Sequence, residues 1–137
     1  MKTILDNFHE VALVVVTEDE SGFSCIVSPM KIGDGKNVVE DIKQKKQKVD
    51  FGPVSGYLVV PEIIQIGLNL KCVDEAIVSE VLDTTILINL GFDVFKKANR
   101  HFVLRTSHQY VNVFIDLNNY ESSCALIKVF PIEDDPG

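Results

Sequence analysis

Residues 74–90, DEAIVSEVLDTTILINL, decide how the rest of the chain is read. Asp74 stands where an N-cap belongs, Glu75 puts a negative charge in the first turn, and Gly91 follows where a C′ glycine is favoured. Ile77, Val78, Val81, Leu82, Ile86 and Leu90 recur at helical spacing and would form one apolar stripe. The pattern predicts a helix over 74–90 that packs on a sheet, with Val81 inward and Glu80 in solvent.

Outward from that helix, β-branched residues mark the strands. The run 11–17 is rich in valine and predicts a strand buried on both faces. Residues 18–22 read as a turn and 23–28 as the returning strand, stopped by Pro29. Asn37 is positioned to cap a short helix reaching Lys48, with Val38, Val39 and Ile42 as its small apolar face. A short strand at 56–60 ends at Pro61. In 62–72, Ile64, Ile66, Leu68 and Leu70 alternate with polar residues or glycine, which favours a half-buried strand; a helix with Pro61 at N1 is the rival. The last third predicts strands at 102–106, 110–116 and 123–130, with Val111, Val113 and Ile115 on one face. Segregated helices and strands predict one α+β domain over 1–137. Its sheet is mainly antiparallel, a hairpin plus a C-terminal three-stranded meander, packed by one long and one short helix, with a loose acidic tail at about 132–137.

Composition narrows the function classes. With 46% apolar and 24% charged residues over 137 positions, the chain can bury a core without disulfides or metal. The longest apolar run, 11–16, is far short of the roughly 20 residues of a membrane span. Asp6, His9 and Glu10 interrupt the stretch where a signal peptide would be apolar, so a cytoplasmic location is expected. Cys25, Cys72 and Cys124 are odd in number and widely spaced, which suits reduced, apolar filler thiols better than a disulfide framework or a zinc site. A net charge of −7 opposes approach to nucleic acid and to anionic membranes.

No motif assembles a catalytic or cofactor site. Residues 33–37, GDGKN, lie where a phosphate loop would lie, but Val38 replaces the third glycine of a dinucleotide fingerprint, and a turn is expected. His9, His101 and His108 lack metal-ligand spacing. Cys124, Ser122 or Ser123 would have to meet His108 across strands to form a nucleophile and base. Asp19 and Glu20 read as a solvated turn rather than an acid–base pair. The spacing around Gly67 resembles a helix-turn-helix, which implies DNA reading by the segment that follows; Asp74, Glu75, Glu80 and Asp83 there would repel phosphates.

The segment 94–110 has four bases and no acid: Lys96, Lys97, Arg100 and Arg105, interleaved with Phe95, His101 and Phe102. These four bases are the candidate binding surface. The expected function is that of a small non-enzymatic protein without cofactor, acting by protein–protein contact as an inhibitor, immunity factor or adaptor. Its acidity suits a basic partner, with self-association left open. The alternative is a nucleic-acid or phosphate-ligand accessory protein using the basic island at 96–105.

Overall fold

A computed structural model describes residues 1–82, 100–115 and 127–133 of the chain. After a 3-10 turn at Ile4–Asn7, two long strands run back to back, β1 (Glu10–Asp19) and β2 (Gly22–Ile32). β3 (Val38–Glu40) and β4 (Gln47–Gly52) both pair with β2, against its far and near halves respectively. β5 (Gly56–Pro61) leads into the helix α1 (Glu62–Leu68), and β6 (Val78–Val81), β7 (Arg100–Arg105), β8 (Gln109–Ile115) and β9 (Lys128–Pro131) follow. The strands form two antiparallel sheets. The first has the order β1-β2-β4-β9 with β3 beside β2, and the second has the order β5-β8-β7-β6.

One buried cluster joins the sheets into a sandwich. Phe23, Cys25, Val49 and Phe51 of the first sheet meet Leu104, Val111, Val113 and Ile115 of the second, all fully buried. Each set comes from alternate positions on its strand, because successive strand side chains point to opposite faces. Burial pushes the Cys25 thiol up to about 12, so it acts as apolar filler.

The expected α+β class is overturned: the described residues are mostly antiparallel strand and contain one short helix. The helix expected over 74–90 is β6 at Val78–Val81, and 83–90 lies outside the described residues. Asp74 does bond its following turn, accepting from the Ala76 amide (3.2 Å) and the Ser79 hydroxyl (2.7 Å). Tertiary partners then claim the backbone: the Ile77 amide donates to Asp6 Oδ1 (3.0 Å), and its carbonyl accepts from the Arg105 amide (2.8 Å). Val78 faces the core and Val81 is buried on the other face, so valines spaced three apart serve a strand open to burial on both sides. Glu80, expected in solvent, pairs with Arg100.

Three further expectations are corrected. The helix expected from Asn37 to Lys48 is β3, a loop and the start of β4; Gly33 and Asn37 close a turn (2.7 Å) with Lys36 at φ 62, and too few apolar residues follow to hold a helix to a core. β1 is an edge strand covered on one face, and a bulge between Leu13 and Val15 leaves Val14 and Val15 exposed before Val16 turns inward again. The C-terminal meander is broken: β7 and β8 form a hairpin, but β9 crosses to the first sheet and pairs with β4. Turn residues specify reversals, whereas the choice of sheet follows from which edge has a vacant hydrogen-bonding row.

The β1–β2 turn contains a close backbone contact. Gly22 has φ +131, and a Cβ there would lie 2.3 Å from the Gly52 carbonyl carbon. By contrast, a Cβ on Gly67 in α1 would meet nothing within 4 Å. Gly22→Ala is expected to cost at least about 2 kcal/mol, while Gly67→Ala gains roughly 0.5–1 kcal/mol through helix propensity. Urea denaturation of the two variants checks both signs.

Candidate functional site

The segment expected as a strand at 62–72 contains α1, and its chemistry explains both the helix and its orientation. Pro61 ends β5 and is the N-cap residue, and Asn69 closes the helix in the left-handed region at φ 51, its amide donating to the Ile66 carbonyl (3.0 Å). Along a helix, residues three apart share a face. Gln65 and Leu68 face the second sheet, where Leu68 packs on Phe114 and Gln65 is 6% exposed. Ile63, Ile64 and Ile66 are left on the outside, 81%, 55% and 61% exposed. This is the reverse of an ordinary surface helix, which hides its isoleucines and wets its glutamine.

Polar residues under the helix account for the inversion. Asn112 lies in the middle of β8 and is fully buried. Its Oδ1 accepts from Gln65 Nε2 (3.1 Å) and lies 2.8 Å from His101 Nε2, and its Nδ2 donates to Gln65 Oε1 (2.8 Å). An amide oxygen only accepts, so the His101 proton sits on Nε2. The His101 ring stacks on Phe114 at 4.4 Å between centroids. Burial pushes its pKa down to about 4 against a partial lift from the Asn112 bond, so the ring is neutral at pH 7. Beside this network, Ile66, Leu70, Cys72 and Tyr110 line a cavity of about 230 Å³. Burial, then the nearby Glu62 carboxylate, raises the Tyr110 pKa, so its hydroxyl stays protonated.

Of the four bases singled out from the sequence, Arg100 and Arg105 are among the described residues, and both are engaged within the fold. Arg100 donates from Nε and Nη2 to both oxygens of Glu80 (2.7 and 2.8 Å), and its guanidinium lies 4.8 Å from the Phe102 ring centroid. The Arg100 bonds hold the Glu80 carboxyl below its usual range. Arg105 donates to the carbonyl of Ala76 and to Ser79 Oγ (2.7 Å), fastening the turn before β6. Lys96 and Lys97 lie outside the described residues, as do Ser122, Ser123 and Cys124. His101 is buried in β7 while His108 occupies the β7–β8 turn, and no cluster of three or more metal-ligating side chains occurs among the described residues. Cys25 and Cys72 are free thiols, the second partly exposed. Among the described residues no helix is long and apolar enough to cross a membrane.

Sequence reasoning missed the isoleucine face because alternation and helical spacing overlap in Ile64, Ile66, Leu68 and Leu70. The usable signal was Pro61 together with Asn69, a helix start and stop with seven residues between them. Comparison with known proteins finds no matching family model, no matching curated protein and no matching solved structure. The geometry of the described residues defines a β-sandwich bearing an outward-facing apolar helix.

The buried histidine makes stability depend on pH with a definite sign. Its folded pKa, about 4, lies below the ordinary 6.5, so the unfolded chain takes up the proton first and stability falls as pH drops through that interval. The carboxylates with lowered pKa values lose their contribution only below about 4.5, which leaves the upper interval to His101. The wild type should lose on the order of 2–3 kcal/mol between pH 7 and 4.5, and His101→Gln should flatten that slope. Urea midpoints at both pH values measure it; equal slopes would contradict the assignment.

Proposed function

We propose that the chain is a small non-enzymatic binding protein that acts by protein–protein contact through the outer face of α1. The observation that carries this reading is the exposure of Ile63, Ile64 and Ile66 together on a helix whose glutamine, Gln65, is buried. Single exposed isoleucines are ordinary on protein surfaces; three on two turns of helix make a patch that water penalises until something covers it. Covering them would contribute on the order of 5 kcal/mol, enough for a working complex once docking costs are met.

The occupant is a partner protein with a basic contact surface. The chain carries −7 overall, Glu62 sits at the edge of the isoleucine face, and an acidic body speeds encounter with a basic partner at low salt. An inhibitor, immunity or adaptor role fits this mode of action. A cytoplasmic location belongs to the same reading and agrees with the free thiols of Cys25 and Cys72. The alternative use of the 96–105 island on nucleic acid is disfavoured by the internal engagement of Arg100 and Arg105.

A double variant, Ile63→Ser with Ile66→Ser, separates folding from binding. Both positions are exposed, so its unfolding free energy should stay within about 0.5–1 kcal/mol of wild type. Partners cross-linked in the native cell would be identified, purified and titrated against both proteins. The reading expects a loss of affinity of at least roughly 30-fold, about 2 kcal/mol, in the double variant and weaker binding at higher salt. Equal affinities would overturn it. So would a wild-type dimer in sedimentation that the variant abolishes, since the isoleucines would then be a self-interface.

A further inference from the structure

We infer that the cleft beside the start of α1, between the two sheets, receives one lysine or arginine side chain of the partner; this rests on the protein-binding reading above. The cleft has a volume of about 580 Å³ and is walled by Leu13 and Met30 of the first sheet, Val38 of β3, and the β7–β8 turn, with Glu10 and Glu62 in its lining. None of the lining residues is lysine or arginine.

The two carboxylates are held differently. Glu10 is oriented by the protein: its Oε2 accepts from the Ser107 hydroxyl (2.6 Å), and the Ser107 amide donates to the Val11 carbonyl (2.8 Å). The other oxygen of Glu10 faces the exposed His9 at 3.9 Å. Glu62 is tied by its backbone alone, the amide donating to the His108 carbonyl (2.9 Å), and among the described residues its carboxylate has no hydrogen bond or ion pair. His108 itself holds φ 69, a region that β-turns usually give to glycine or asparagine.

The mixed lining selects the chemistry of the occupant. An anion would be repelled by both acids, and an apolar group would strip water from them without recompense. A lysine or arginine side chain satisfies both parts: its methylene stem lies along Leu13, Met30 and Val38 while its charged head meets the carboxylates. The position fits the isoleucine face as well. Glu62 directly precedes Ile63, so a surface seated on α1 passes over the cleft mouth, and apolar burial and charge recognition fall on one continuous interface.

The test uses the full chain and defined probes: N-acetyl-arginine amide, N-acetyl-lysine amide and, as the uncharged isostere, N-acetyl-citrulline amide. They are titrated into 15N-labelled protein by NMR. The expected result is saturable shifts at residues 10–13, 62 and 107–109 with a cationic probe at millimolar affinity, none with citrulline, and a loss of at least fivefold in Glu10→Gln and Glu62→Gln. Arginine against lysine identifies the preferred head group. Absent or scattered shifts, equal binding of citrulline, or unchanged affinity in both Gln variants would overturn the inference. The probes are too small to need the isoleucine face, so a negative titration alongside an intact Ile-dependent complex rejects the cleft alone. An Ile-independent complex rejects the earlier reading instead.

Discussion

A carboxamide buried in the centre of a strand has few ways to be satisfied, and Asn112 imposes that requirement on everything around it. β8 is an inner strand of the second sheet, between β5 and β7, so its backbone groups are taken by the ladder, and the Asn112 side chain is fully buried. An unpaired amide there would cost about 1–3 kcal/mol. Gln65 and His101 supply the partners, and Gln65 can do so only if α1 lies with that residue downward. Once Gln65 faces the sheet, helical geometry sends Ile63, Ile64 and Ile66 outward. The exposed apolar face is thus a consequence of polar satisfaction underneath, and the same network keeps a neutral histidine in the core.

The two sheets divide the work. The first supplies the long β1–β2 ribbon, whose turn brings Gly22 close against Gly52 of β4, and whose far end helps wall the cleft. The second carries the polar network on one face and half of the core on the other, since side chains of β8 alternate between Val111, Val113 and Ile115 inward and Asn112 and Phe114 beneath α1. Arginines that looked like a ligand surface instead fasten β6 to its surroundings, Arg100 through Glu80 and Arg105 through the turn at 76–79. Arg100 and Arg105, the arginines of this segment, are spent on the fold, while the outer face of α1 exposes isoleucines beside Glu62.

Legibility in the sequence followed the range of the forces involved. The hairpin of β1 and β2 and the paired β7 and β8 were readable because β-branched runs and short turns are local. The same was true of the inward set Val111, Val113 and Ile115. The segment 74–81 was not readable, because Asp74, Glu75 and a three-and-four spacing satisfy helix rules, while the contacts that make it strand come from Asp6 and Arg105, far away in sequence. Ile64, Ile66, Leu68 and Leu70 misled for a related reason: a two-residue period also fits a short helix, and the discriminating partner, Asn112, lies 47 residues from Gln65. The candidate site was missed with it, since no local pattern announces that a glutamine will be the buried residue.

The sequence by itself determined that this chain is long and apolar enough to bury a core, where the β1–β2 and β7–β8 reversals fall, and that its net charge is acidic. Those properties follow from composition and from residues next to one another. Tertiary structure alone decided that β9 joins the first sheet, that residues 78–81 extend rather than coil, and that the isoleucines of α1 face solvent beside a cleft lined by Glu10 and Glu62. Each of those outcomes depends on a hydrogen-bonding or apolar partner many residues away, and the cost of leaving a buried group unpaired outweighs the weak local preferences that a sequence displays.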